Sequence, residues 1–167
     1  MVKSPITFGA LSAVGLLVAS QVWAEDVVRH KLPNSNFPIS LAVEVPAGKT
    51  TVYLSGAVPS VVDKNADKNT IAAYGDTKAQ TESVLKAIDK TLGGLGLKMG
   101  DVVKMQVFLV GDPANGGRMD FSGFMAAYTQ FFGTTAQPNL PSRSVVQVAG
   151  LAGPGFLVEI EVTAVRP

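Results

Sequence analysis

The stretch QPNLPSRSVVQVAGLAGPGFLVEIEVTAVRP, residues 137–167, decides the fold of this chain. It contains two runs rich in valine and isoleucine, residues 144–149 and 156–165, separated by a segment rich in glycine and proline. This pattern predicts two β-strands and their connection. Side chains alternate along a strand, so Glu159 and Glu161 share one face of the second strand. Two acids in the middle of a strand indicate that this face is solvated or lines a site.

The sequence upstream supplies the remaining elements. Apolar residues at helical spacing predict two helices, the first with a Thr77–Gln80 capping box and the second capped by Asp120. After an extended N-terminal segment, two strands are expected to pair as a hairpin around a Pro-Ala-Gly-Lys turn. The predicted elements upstream are strands at 40–45 and 50–56, a helix at 76–92, a strand at 102–110 and a helix from 120 onward.

The order β-β-α-β-α-β-β predicts one α+β domain, a mixed sheet with two helices on one face. The helix-covered face is expected to hold the apolar set Val52, Leu54, Val103, Met105, Val107, Val146, Val148, Val158 and Ile160. The opposite face is expected to hold Thr51, Tyr53, Ser55, Lys104, Gln106, Arg143, Gln147, Glu159 and Glu161, with Phe108, Val110, Val145 and Leu157. That mixture is too apolar to be fully solvated and too charged to be a core. It therefore predicts an interface between subunits.

Residues 1–24 have the features of a secretory signal. Lys3 is followed by an apolar stretch at 6–19 and by Val-Trp-Ala, which fits cleavage before Glu25. The alternative is an uncleaved membrane anchor, but the apolar stretch is short for a spanning helix. We therefore expect a single mature domain at 25–167 that is periplasmic or secreted and is not stably inserted in the membrane.

Composition excludes several classes of partner. The 13 acidic residues are balanced by the basic ones once Lys3 is removed, so nothing favours a nucleic acid or another polyanion. The chain has no cysteine and a single histidine, His30, so no metal site is expected.

The sequence PSRSVVQVAGL followed by VEIEVTAV resembles the signature of the RidA (YjgF) family. The upstream stretches VYLSGAVP, GLGLKMGDVVKMQVFLV and FMAAYTQFF occur in the order found in that family, and the resemblance covers residues 32–166. It implies a chorismate-mutase-like fold and a homotrimer with its sheets inward, its helices outward and its sites in three clefts between subunits. It implies no cofactor.

The resemblance also implies roles for individual residues. Arg143 would grip the carboxylate of a small imino or keto acid, helped by the backbone N–H of Val145, because a guanidinium holds a carboxylate through two charge-assisted hydrogen bonds. Glu159 would position the hydrolytic water and exchange protons with the imine. Ser55 would line the cleft. The structural alternatives are a salt bridge between Arg143 and Glu159 or Glu161, and an ordinary strand-end hydroxyl for Ser55.

The chain departs from the family pattern at three positions. Ile39, in Phe37-Pro38-Ile39-Ser40, stands where a G-P-Y-S sequence is common, so it replaces a tyrosine. Met125 stands in place of an asparagine, and Val145 in place of a cysteine. A more apolar pocket wall predicts either a bulkier, more hydrophobic substrate side chain or lost turnover.

Three functions compete at this point. The first is an exported hydrolase that converts enamines and imines of amino acids to 2-keto acids and ammonia. The second is a non-catalytic trimer that binds small carboxylates. The third is a ribonuclease or translation inhibitor, which the balanced charge, the export signal and the lack of a basic aromatic stripe count against.

Overall fold

The computed structural model describes residues 26–167, together with Met1. The predicted signal segment at 1–24 and its cleavage point before Glu25 lie outside the described residues. Within the described part of the chain, no helix is both long enough and apolar enough to cross a membrane.

The described part of the chain contains six strands and two α-helices. The first two strands, β1 and β2, form a separate two-stranded ribbon, and the other four form a mixed sheet in the order β3-β6-β4-β5. In that sheet β4 and β5 are parallel and the other pairs are antiparallel. The elements are β1 (Val28–Lys31), β2 (Ser40–Glu44), β3 (Thr51–Tyr53), α1 (Thr77–Gly94), β4 (Val102–Val110), α2 (Phe121–Tyr128), β5 (Ser142–Val148) and β6 (Val158–Val165).

The predicted hairpin between the strands at 40–45 and 50–56 is wrong. β2 pairs instead with β1, which lies in the segment expected to be merely extended, and the ribbon is reinforced by a 2.6 Å contact between His30 and Glu44. β3 pairs with the last strand, with Thr51 opposite Val165. The turn between β2 and β3 suggested that these two strands pair. Pairing β3 with the longer strand β6 instead places β3 beside the core, and the arrangement that buries more apolar surface is favoured.

The core lies between the sheet and the two helices. The buried side chains of β4 and β6 alternate in register, with Met105 opposite Val162 and Val107 opposite Ile160. The helices cover this face with Val84, Leu85, Ile88 and Leu92 from α1 and Phe124 and Tyr128 from α2. One helix-covered face is therefore confirmed for β4 and β6.

Helix α1 has a capped N-terminus, but the cap is not the predicted Thr77–Gln80 capping box. Its N-cap is Asp76, whose carboxylate accepts a 2.8 Å hydrogen bond from the Ala79 backbone N–H. Gln80 is completely buried; it donates to the carbonyls of Gly75 and Gly155 and accepts from the Leu157 backbone N–H at 2.7 Å. Gln80 therefore fastens the start of β6 to the helix rather than capping the helix.

The face assignment of β5 is inverted relative to the prediction. Arg143 lies opposite Met105 and Val145 opposite Val107, so both point to the helix side of the sheet. Val146 lies opposite Phe108 on the open face and is 46% exposed. Because Val145 and Val146 are both valines, the sequence lacked the alternation that sets a register, and a shift of one residue exchanges the two faces. Gln147 and Val148 are inverted in the same way: Gln147 lies opposite Leu109 on the helix side, and Val148 lies opposite Val110 on the open face. Leu157 was expected on the open face but is buried in the core.

Candidate functional site

Arg143 lies near the start of the edge strand β5, against the aromatic residues of α2. Its guanidinium carbon is 4.2 Å from the ring centre of Tyr128, 4.9 Å from that of Phe124 and 5.6 Å from that of Phe37. Phe124 and Tyr128 follow each other by one helical turn and are fully buried, so their rings form a rigid floor. Cations are attracted to aromatic faces at such distances. We call Arg143 and these three rings the arginine cage.

The polar contacts of Arg143 are incomplete. One terminal nitrogen is 3.3 Å from the thioether sulfur of Met125, a weak acceptor, and the other is buried without a hydrogen-bond partner among the described residues. The ion pairs in residues 26–167 are His30–Glu44 and Lys78–Glu82, so a salt bridge from Arg143 to Glu159 or Glu161 does not form within one chain. Burial lowers the pKa of the Arg143 guanidinium from its ordinary value, and the neighbouring Tyr128 opposes this shift. A partly buried guanidinium with incomplete hydrogen bonding is stabilised when an anion supplies the missing acceptor.

Helix α2 places the floor of the cage. It begins at Asp120, whose carboxylate accepts a 2.9 Å hydrogen bond from the Gly123 backbone N–H, as the sequence predicted. At its end, the Tyr128 hydroxyl donates to the Pro38 carbonyl at 3.0 Å. Burial raises the pKa of Tyr128 to about 12, with Arg143 acting in the opposite direction. Tyr128 is therefore a neutral donor at neutral pH, and it fixes the segment that precedes β2 against the cage.

That segment carries both Phe37 and Ile39. The Phe37 backbone N–H donates to the Ser35 hydroxyl at 3.1 Å, and the Ile39 backbone N–H donates to the Phe37 carbonyl at 2.8 Å. The structure thus brings Arg143 together with Met125, and places Ile39 in the segment that covers them. Val145 lies next along the helix side of β5 and packs partly against the core.

Glu159 lies on the open face of the sheet, opposite Phe108. Its carboxylate rests directly on Gly56, where a Cβ atom would come within 2.0 Å of the carboxylate oxygen. Ser55 precedes this glycine, lies just beyond the end of β3 and is exposed. Glu161 is on the same face as Glu159 but accepts from the Gln106 side chain at 3.3 Å. Gly56 and Glu159 therefore form a second cluster, which we call the carboxylate cluster, and Ser55 is its neighbour in the chain.

The two clusters do not meet within one chain. Arg143 aligns with Met105 on the helix side of β4, whereas Glu159 aligns with Phe108, three residues further along and on the opposite side. The sequence prediction placed Arg143 and Glu159 on the same face, so this part of it is wrong. No group of three His, Cys, Asp or Glu side chains that could hold a metal ion occurs in the described part of the chain.

Sequence reasoning missed four residues of the site. Phe124 and Tyr128 were identified only as part of the apolar stripe of the second helix, because the arginine was expected on the other side of the sheet. Phe37 was noted only as the neighbour of Ile39. Gly56 was noted only within a strand. The signal for Phe37 was available, since it stands where the resembled family commonly has a glycine.

The family model described as Endoribonuclease L-PSP matches residues 38–166. The chain belongs to this family, the family of the YjgF and RidA proteins. A Salmonella typhimurium relative named 2-iminobutanoate/2-iminopropanoate deaminase is 35% identical over 69% of this chain and 79% of its own length. A Haemophilus influenzae relative named only as a RutC family protein is 36% identical over 82% of this chain and 93% of its own. The name of the Salmonella relative connects a member of the family with imine deamination, the family model is described as an endoribonuclease, and the name of the Haemophilus relative gives no activity.

Solved structures of family members share the fold. The YjgF gene product of E. coli is 32% identical and superposes with a TM-score of 0.53, covering 81% of this chain and 93% of that one. E. coli TdcF, solved with bound serine, is 29% identical with a TM-score of 0.55 and covers 86% and 99% of the two chains. The predicted α+β, chorismate-mutase-like fold is confirmed.

Proposed function

We propose that this member of the RidA family hydrolyses reactive enamine and imine intermediates of amino acids to 2-keto acids and ammonia, outside the cytoplasm. The observation that carries the proposal is the caged Arg143, a partly buried cation with one terminal nitrogen unsatisfied and the other on the weak acceptor sulfur of Met125. The proposed location rests on residues 1–24 of the sequence alone. The N-terminal mass of the mature protein from the cell envelope tests it, since retention of Met1 would contradict export.

Arg143 is suited to hold the carboxylate of an imino acid. The guanidinium lies over the rings of Phe124 and Tyr128, and its N–H groups point outward in its own plane, so a carboxylate is expected to approach along that edge. Two parallel charge-assisted hydrogen bonds formed there would replace the contact with the Met125 sulfur. The gain is large because the site is partly desolvated.

Glu159 is suited to act on water beside the imine carbon. Its carboxylate takes one proton from the water as the water oxygen bonds to the C=N carbon, and a proton from solvent reaches the nitrogen. Glu159 then gives its proton to the amine of the resulting carbinolamine, the C–N bond breaks to release ammonia, and the hydroxyl loses its proton to solvent as the C=O bond forms. An enamine reaches the same imine by protonation at carbon. No metal or cofactor is required for this sequence of steps.

A complete site would need two copies of the chain. The arginine cage and the carboxylate cluster lie on opposite sides of the sheet. The open face, which carries the carboxylate cluster, also exposes apolar side chains: Tyr53 is 79% exposed and Val146 is 46% exposed. We propose that three copies pack through their open faces, and that the edge strand β5, which carries Arg143, lies beside Glu159 of the neighbouring copy. This arrangement supplies the interface that the sequence predicted for the mixed face.

The assembly is tested by light scattering on the mature chain. We expect three times the monomer mass, and we expect Val146→Asp to give monomers that lack imine hydrolysis, because a charge buried in the interface is costly. Val62→Asp is the matched control, since Val62 is 61% exposed on the loop before α1. A wild-type monomer at micromolar concentration would contradict the proposed composite site.

The contact between Arg143 and Met125 also favours a second candidate, a trimer that binds small carboxylates without turnover. Met125, Ile39 and Val145 offer no side-chain hydroxyl or amide to the reacting atoms. In that case Arg143 retains its role and Glu159 has none.

A panel of imines distinguishes the two candidates. Imines are generated in place by an amino-acid oxidase, and their loss is followed with and without the protein. We expect turnover, with leucine-derived imine preferred to alanine-derived imine by about ten- to fiftyfold, because each buried methylene contributes roughly 0.8 kcal/mol against the apolar wall. A ratio at or below one would show that the wall does not set the preference. Binding of 2-keto acids without any turnover would favour the binding protein.

A further inference from the structure

The three rings of the arginine cage are not equivalent. Phe124 and Tyr128 are fully buried on α2, whereas Phe37 is 40% exposed and lies in the segment between β1 and β2. The floor of the cage belongs to the core. The outer ring, Phe37, is the one that solvent reaches.

Phe37 also begins a layer of rings that leads away from the arginine. It stacks on Phe121, with ring centres 6.4 Å apart and planes 15° from parallel, and Phe121 in turn lies 6.1 Å from Phe124. The Tyr128 hydroxyl holds the neighbouring Pro38 carbonyl at 3.0 Å, so the ring is positioned before any ligand binds. A preorganised aromatic surface costs little conformational entropy on binding.

We propose that Phe37 is the residue that sets side-chain specificity, and that it selects imino and oxo acids with an aromatic side chain. The inference rests on the proposed carboxylate site at Arg143. A carboxylate held at the guanidinium edge leaves the side chain of a 2-imino acid one carbon beyond the imine carbon. Phe37 lies 5.6 Å from the guanidinium carbon, a distance that such a side chain spans. An aromatic ring placed there extends the stack of Phe37 and Phe121.

Stacking, rather than general apolar contact, is the distinguishing feature. Aromatic pairs at such separations gain affinity beyond the area they bury, on the order of a few-fold to tenfold. The apolar wall of Ile39, Met125 and Val145 offers no ring on which a phenyl group could stack. Phe37 does.

The test compares two 2-oxo acids by calorimetric titration, phenylpyruvate and its saturated counterpart 3-cyclohexyl-2-oxopropanoate. We expect the wild-type protein to bind phenylpyruvate about fivefold more tightly. Phe37→Leu should bring the ratio of the two affinities to about one, and Phe37→Ala should do the same. The ratio is the readout because it cancels a general loss of carboxylate affinity or of folded protein.

Phe156→Leu is the matched control, because its ring packs on Tyr74 at 4.9 Å in another part of the molecule, and it should keep the wild-type ratio. Absence of a phenyl preference in the wild type, or its survival in Phe37→Leu, would overturn the inference. If Arg143→Ala still weakens the binding of both acids in that event, the carboxylate site stands and only the role of Phe37 falls. If Arg143→Ala binds both acids as tightly as the wild type, the proposed function falls as well.

Discussion

Replacing Arg143 with alanine is expected to weaken the binding of 2-oxo acids by about ten- to a hundredfold. The substitution removes charge-assisted hydrogen bonds to the carboxylate, which contribute roughly 1.5–3 kcal/mol. Arg143→Lys keeps the charge but loses the planar pair of donors, so it should recover only part of the affinity. Calorimetric titration with a 2-oxo acid measures both effects.

Two controls make this result specific to the site. Arg118→Ala removes a guanidinium from the exposed loop after β4 and should leave the affinity unchanged. Thermal unfolding of each variant separates loss of the ligand contact from loss of the fold, since Arg143 is packed among three rings. If folded Arg143→Ala binds 2-oxo acids as tightly as the wild type, the carboxylate site lies elsewhere.

Replacing Glu159 with glutamine is expected to lower imine hydrolysis by about 10²- to 10⁴-fold, the usual contribution of a general acid–base group. The affinity for a 2-oxo acid should change little, because the amide keeps the size of the side chain and Arg143 keeps the carboxylate. Turnover is followed as imine loss, and affinity is measured on the same preparation.

Glu161→Gln is the matched control, since Glu161 is an acid two residues further along the same face and already bonded to Gln106. It should retain most of the activity. Gly56→Ala should reproduce the loss seen with Glu159→Gln, because its Cβ would displace the carboxylate that rests on the glycine. Equal losses in Glu159→Gln and Glu161→Gln, or full activity in Glu159→Gln, would contradict the assignment of the base.

A mixing experiment connects the two predictions. Arg143→Ala and Glu159→Gln subunits, unfolded and refolded together, should recover part of the activity, because some interfaces then combine an intact Arg143 with an intact Glu159. The separately refolded variants should not recover activity. Such complementation is expected only if the two clusters that lie apart in one chain belong to one site between chains.

Local sequence patterns predicted an element correctly where the residues of a short stretch alone decide its structure. The predicted strand at 102–110 matches β4, and Asp120 caps α2. The motif around Arg143 and Glu159 identified the family, which the match over residues 38–166 confirms. These features depend on short-range periodicity and on the order of residues in a motif, both of which are contained in the sequence.

Pairing and register were decided only by the tertiary structure. β2 pairs with β1, and β3 pairs with β6, rather than β2 with β3, because these pairings are more favourable than the local hairpin. β5 turns Arg143 toward the helices because Phe124 and Tyr128 supply faces for its guanidinium, while Val146 is left on the open face. Adjacent valines carry no alternation, so the competing registers differ only in contacts between residues far apart in the chain. The sequence by itself determined which residues could form the site; only the packing of distant segments decided which side of the sheet each one occupies.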